Sequence, residues 1–181
     1  MIASASWDTN ISICNAANLT SKDVLSGHTD WVNGCSWVNA NTLLSVSHDC
    51  TVRAWNVSSH SSTVIGKHDN WVLSCATRNS RAVSSSYDSV IKVWDIDSKR
   101  LLNTFSPQTK RVNQCAFDKT GNLIASVSHD RTVRIWDTRN NQQVTFFATK
   151  GLGTCVAQNG DTIGVGDSLG NIYFLDIMSN N

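Results

Sequence analysis

Four ten-residue segments of this 181-residue chain align without a gap, and their spacing constrains the fold more than any other feature. They are SWDTNISICN from Ser6, SHDCTVRAWN from Ser47, SYDSVIKVWD from Ser86 and SHDRTVRIWD from Ser128. Their aspartates, Asp8, Asp49, Asp88 and Asp130, stand 41, 39 and 42 residues apart. Trp55, Trp94 and Trp136 follow the last three by six residues, with Cys14 at the matching place in the first. A second element precedes the later segments: GHTDWVNGC from Gly27 and KHDNWVLSC from Lys67, with degenerate versions KRVNQC from Lys110 and KGLGTC from Lys150. Cys35, Cys75, Cys115 and Cys155 fall 40 residues apart. Such a period marks one supersecondary unit repeated, each copy burying its apolar face only against the next. It divides the chain into residues 1–26 (partial), 27–66, 67–106, 107–148 and 149–181 (partial).

Within each unit the pattern is that of strands. Val52 and Ala54, Ile91 and Val93, and Val133 and Ile135 alternate with polar neighbours such as Arg53, Lys92 and Arg134, the period-two signature of a half-buried strand. The runs 43–47 and 123–128 are β-rich and end at turn signals. The only proline, Pro107, belongs to a loop. Ser and Thr together number 40, and Glu is absent. Strong helix formers are therefore scarce, and an all-β fold is expected. A net charge of +1 lacks the basic excess of a dedicated nucleic-acid or membrane surface. The opening residues have neither the basic region nor the apolar core of a secretory signal, so an intracellular location is expected, cytoplasmic or nuclear. No apolar run approaches the roughly 18 residues that span a bilayer.

These Gly-His, turn-Asp and Trp-Asp units resemble the WD-repeat family over essentially the whole chain. The resemblance implies a β-propeller of four-stranded antiparallel blades, the innermost strand of each lining a central channel. Counted that way, the chain opens in the second strand of a blade and runs through three full blades, residues 31–67, 71–106 and 112–148. It stops after the third strand of a last one. About four and a half blades leave the propeller incomplete, since seven at this period need nearly 300 residues. The expectation is the C-terminal part of a longer propeller, with N-terminal blades required to close the ring. A narrower resemblance is to C-terminal propellers of the telomerase-protein-component type and to WD repeats that follow NACHT or apoptosome-type ATPase domains.

His28, Ser45, Asp49 and Trp55 invite comparison with a catalytic triad. If the hairpin centres just after Asp49, Ser45 and Trp55 face each other, and indole, hydroxyl, imidazole and carboxylate form a hydrogen-bonded chain. His68, Ser84, Asp88 and Trp94 repeat the set; Ser126, Asp130 and Trp136 repeat it with Gln108 in place of the histidine. A triad serves one nucleophile, whereas this set recurs, and no G-x-S-x-G elbow exposes any of these serines. The expected role is structural, and no enzyme activity is expected. Ser47, Ser86 and Ser128 lie on the same strand faces, so the choice of serine stays open at this point. The four periodic cysteines are read as small core residues rather than zinc ligands, which must converge on one metal. GVGDSLG from Gly164 is read as the hairpin turn of the last blade. There Leu169 stands for the aspartate, and packing alone is expected to hold the sheet. No metal and no cofactor is expected.

Propellers of this family act through the face where the channel-lining strands begin. Two positions per blade map there: Trp7, His48, Tyr87 and His129 before the turn aspartates, and Trp31, Trp71, Arg111 and Gly151 at the head of the innermost strands. Trp, Tyr and Arg dominate interface energetics. Trp7, Trp31, His48, Trp71, Tyr87, Arg111 and His129 are therefore the candidate partner-binding face, and the expected function is a non-catalytic scaffold for protein or peptide partners. The alternative is a structural part of a ribonucleoprotein, or a regulatory propeller of a NACHT-type ATPase, with RNA reached only through the parent complex. For RNA the sequence offers Arg131, Arg134 and Arg139 beside His129.

Overall fold

Short β-rich runs separated by polar turns fold here into hairpins, and the hairpins into five separate sheets. The structure, a computed structural model, describes residues 1–106 and 108–177; Pro107 and residues 178–181 lie outside it. The described residues form eighteen strands and no helix, so none long and apolar enough to cross a membrane. The first sheet holds β1 (Ile2–Ala5), β2 (Asn10–Cys14) and β3 (Ser21–Ser26). The second holds β4 (Val32–Trp37), β5 (Thr42–Ser47), β6 (Thr51–Asn56) and β7 (Ser61–Lys67). The third holds β8 (Val72–Arg78), β9 (Arg81–Ser86), β10 (Ile91–Asp95) and β11 (Arg100–Phe105). The fourth holds β12 (Val112–Phe117), β13 (Leu123–Ser128), β14 (Thr132–Asp137) and β15 (Gln142–Ala148). The fifth holds β16 (Gly153–Asn159), β17 (Thr162–Asp167) and β18 (Ile172–Asp176). Every pairing is antiparallel between consecutive strands, the all-β incomplete propeller expected.

The sheets stack face to face, and four apolar cores lie between them. Trp55 joins Ile11, Ile13 and Leu25 between the first and second sheets. Trp94 joins Leu44, Val46 and Ile65 between the second and third, and Trp136 joins Ile91, Val93 and Phe105 between the third and fourth. Between the fourth and fifth no tryptophan is present, and partly buried Leu175 packs at the edge of a smaller aliphatic core. The middle strands β5, β9 and β13 are covered on both faces and read as buried runs rather than alternating ones. Strands β4, β8, β12 and β16 touch in succession, so the inner strands fan about one axis.

Two expectations about register need correction. The β5–β6 hairpin places Leu43, not Ser45, opposite Trp55, and Ser45 opposite Arg53. The turn is a three-residue loop whose third residue, Cys50, has φ 66°, and its Cys50 N–H bonds back to Ser47. That type I turn with a left-handed third residue centres the ladder on Asp49 itself. Ser89, Arg131 and Gly170 occupy the same place at φ 70°, 64° and 82°. The second correction concerns the last sheet. Val156 pairs with Val165 as Cys115 pairs with Ser126, so Cys155 sits one residue out of step with the other periodic cysteines. A one-residue slip reverses the face of a side chain: Val156 is buried in the core and Cys155 is exposed. Cys115 is buried and Cys35 and Cys75 half-buried, all free thiols. Burial pushes the Cys115 thiol up to about 12.

Candidate functional site

Each Trp–Asp hairpin carries a polar chain through its interior. Trp55 Nε1–H donates to Ser45 Oγ at 2.7 Å, and Ser45 Oγ lies 2.7 Å from His28 Nε2. His28 Nδ1 lies 2.7 Å from Asp49 Oδ2. With a neutral imidazole protonated at Nδ1, every donor finds one acceptor and the chain runs from indole to carboxylate. His68, Ser84, Asp88 and Trp94 repeat it at 2.9, 2.8 and 2.8 Å. Burial pushes the Asp49 carboxyl up, but bonds from His28 and Thr51 outweigh that and hold it well below the ordinary carboxylate range. Asp88 is lowered in the same way through His68. Ser45, Ser84 and Ser126 are wholly buried, and each accepts the indole proton, so none is presented to a substrate.

In the fourth sheet the chain changes direction. Gln108 Nε2 and Trp136 Nε1 both donate to Ser126, at 3.0 and 2.9 Å. Gln108 Oε1 is buried with no partner. Asp130 instead takes the Thr109 N–H and the Thr132 hydroxyl, with Arg134 at 3.7 Å. The fifth sheet does not rely on packing alone, as expected from Leu169. Asp167, two residues earlier, is buried and accepts from Gly151 N–H (2.8 Å), Tyr173 Oη–H (2.9 Å) and Asn171 Nδ2–H (2.9 Å). Desolvation raises its carboxyl, and these donors, Asn171 foremost, bring it far below the ordinary range. A carboxylate shifted by two residues thus replaces the missing one, a substitution visible in the sequence only as an aspartate followed by N-x-Y.

The second set of serines has a separate task. Ser47 Oγ–H donates to the Asp30 carbonyl, Ser86 to those of Asn70 and Trp71, and Ser128 to those of Lys110 and Arg111. The backbone adds His48 N–H to Trp31 O, Tyr87 N–H to Trp71 O, and His129 N–H to Arg111 O. These bonds clamp each turn to the head of the innermost strand and so fix two side chains per sheet on one face. In the last sheet the equivalent bond is Ser168 N–H to Leu152 O, so Leu152 rather than Gly151 holds this place; Gly151 is buried against Asp167.

The six clamped side chains and Trp7 form one unbroken ladder. Trp7 stacks on Trp31 with ring centroids 4.6 Å apart and planes 11° from parallel. Trp31 leans on His48 at 5.1 Å, His48 stacks on Trp71 at 4.3 Å, and Trp71 meets Tyr87 edge-on at 5.3 Å. The Arg111 guanidinium covers Tyr87 at 5.3 Å and donates to His129 Nε2 at 2.9 Å. Steps within a sheet alternate with steps between sheets, which period alone does not reveal. Trp7, Trp31, Trp71 and Tyr87 remain 68, 42, 42 and 40% exposed, so stacking between sheets has not removed them from solvent. Two of the three arginines named beside His129 turn away from it. Arg134 turns to Gln143 and Asp130, and Arg139 pairs with Asp137 at the other end of β14. Among the described residues no cluster of three or more His, Cys or Asp side chains could hold a metal ion.

Comparison with known proteins agrees with this architecture. The family described as "WD domain, G-beta repeat" matches residues 19–56 and 59–95, and "TEP-1 C-terminal beta-propeller" matches residues 108–177. The chain belongs to the WD-repeat family. Among WD-repeat relatives, methylosome protein WDR77 of Xenopus laevis is 29% identical, over 93% of this chain and 52% of the relative. Nuclear distribution protein PAC1-2 of Uncinocarpus reesii is 30% identical, over 76% of the chain and 35% of the relative. Apoptotic protease-activating factor 1 of Rattus norvegicus is 27% identical, over 77% of the chain and 11% of the relative. This WD-repeat chain thus spans about half the length, or less, of these curated relatives.

Proposed function

We propose that this propeller segment is a non-catalytic interaction scaffold that docks protein or peptide partners on the ladder face. The observation that carries the reading is the ladder itself: seven side chains from four sheets, six of them held by backbone and serine clamps, with four large aromatic rings open to solvent. Exposed aromatic surface of this kind is an association surface or a liability, and here it is preorganised, which lowers the entropic cost of binding. The buried serines and the repetition of their network support a structural role for the Trp-Ser-His-Asp chains. Six free thiols support an intracellular setting, cytoplasmic or nuclear.

The test is affinity purification of the intact protein from its own cells, comparing wild type with a Trp31→Ala/Trp71→Ala double variant. Loss of specific partners at unchanged melting temperature is expected; undiminished recovery removes this face from consideration. The match of residues 108–177 to the TEP-1 C-terminal propeller favours a second reading, a structural part of a telomerase-associated ribonucleoprotein. Direct RNA binding that weakens steeply with salt would decide for it.

A further inference from the structure

Where the ladder passes from rings to cations, the fourth sheet and its neighbour leave an opening of about 380 Å³ lined by Tyr87, Ser89, Lys110, Arg111 and His129. Its charge is unbalanced. Among the described residues neither Lys110 nor Arg111 forms a salt bridge. The two carboxylates that adjoin the lining residues in sequence point elsewhere: Asp88 is bonded to His68, and Asp130 to Thr132 and Thr109. The guanidinium of Arg111 is fixed in orientation by Tyr87 beneath it and by its bond to His129. Its Nε is buried without a partner. The bond to His129 uses the imidazole lone pair, which keeps that ring neutral, and burial together with Arg111 and Lys110 holds its pKa below the ordinary histidine value.

We propose that this opening binds a phosphomonoester dianion, held by Arg111, Lys110 and Ser89, on a partner segment lying along the ladder. Two cations, the oriented Arg111 and the exposed Lys110, match a dianion, whereas a single carboxylate would leave one of them uncompensated. A rigid guanidinium presents the planar fork that phosphate oxygens accept. Single-stranded RNA is the poorer fit, because base stacking needs free ring faces, and beside this opening Tyr87 is covered by Arg111 and met edge-on by Trp71. The proposal rests on the reading of the ladder as a docking face, and names the chemistry it selects.

Calorimetric titration of the intact protein tests it with four probes: blocked phosphoserine, blocked aspartate, inorganic phosphate and oligouridylate. Blocked phosphoserine is expected to bind about tenfold more tightly than blocked aspartate, the worth of a charge-assisted hydrogen bond. Lys110→Gln and Arg111→Gln are each expected to weaken it by a similar factor. Lys110 is exposed and free of side-chain hydrogen bonds among the described residues, so its variant folds normally. Inorganic phosphate binding as tightly as phosphoserine supports the same chemistry with free phosphate as its source. Equal affinity for aspartate, affinity unchanged in Lys110→Gln, or preference for oligouridylate overturns it. The titration involves no partner, so its failure leaves the docking face standing, and loss of that face by the Trp31/Trp71 test leaves the titration valid.

Discussion

Asp49 and Asp88 each accept a hydrogen bond from a histidine inside the protein, and their depressed carboxyl pKa values make stability depend on pH with a definite sign. The unfolded carboxyl titrates near 3.9. The contribution is therefore complete above about pH 5 and fades as pH falls through 3.9 toward the lower folded value. Denaturation midpoints measured between pH 3 and 7 are expected to drop at the acid end, and an Asp49→Asn/Asp88→Asn variant to show a flatter profile. At neutral pH, Asp49→Asn alone is expected to lower unfolding free energy by about 1–3 kcal/mol, because an amide has one accepting oxygen for the two the carboxylate uses, and its NH2 then faces either His28 and Thr29 or Thr51. Gln108 offers the opposite experiment. Gln108→His would place an imidazole between Ser126 and Asp130 and remove the stranded Gln108 Oε1, so a gain of about 1 kcal/mol in chemical denaturation is expected.

Between elements, the tightest fit is glycine against tryptophan. A Cβ on Gly66 in β7 would overlap the Trp94 ring of the next sheet, whereas at Gly164 in β17 nothing comes nearer than 3.9 Å. Gly66→Ala is therefore expected to cost about 1–3 kcal/mol as overpacking, and Gly164→Ala much less, in matched thermal melts. These elements were largely legible in the sequence, because the Asp–Trp spacing and period-two alternation survive in the three full repeats. What escaped had local causes. The left-handed residue at Cys50 moved the hairpin centre, so Trp55 reaches Ser45 along a diagonal rather than straight across. The regular spacing of Cys155 concealed a one-residue slip that puts Val156 in its slot, and Asp167 took over from Leu169 at a position no alignment pairs with it. The clamp serines and the network serines lie two apart on one strand face, and only their partners tell them apart. The ladder was legible as a set of residues on one face, but not as a stack, since each ring's neighbour belongs to another repeat.

Across the whole molecule, burial falls from the middle strands to the outer ones. Strand β15 is exposed along its full length, and Ile172 and Phe174 of β18 are 70 and 76% exposed. Local opening follows buried contact density. Amide hydrogen exchange is thus expected to leave β5, β9 and β13 protected longest and to release β15 and β18 first; uniform protection across the sheets would contradict this account of the cores. The alternation of ladder steps has a mechanical corollary. Any change in the fan angle between two sheets must slide Trp7 over Trp31, His48 over Trp71, or Arg111 over Tyr87. A molecule lying across several of these rungs therefore acts as a splint, and the stiffness of the arc and the affinity of its guest rise or fall together.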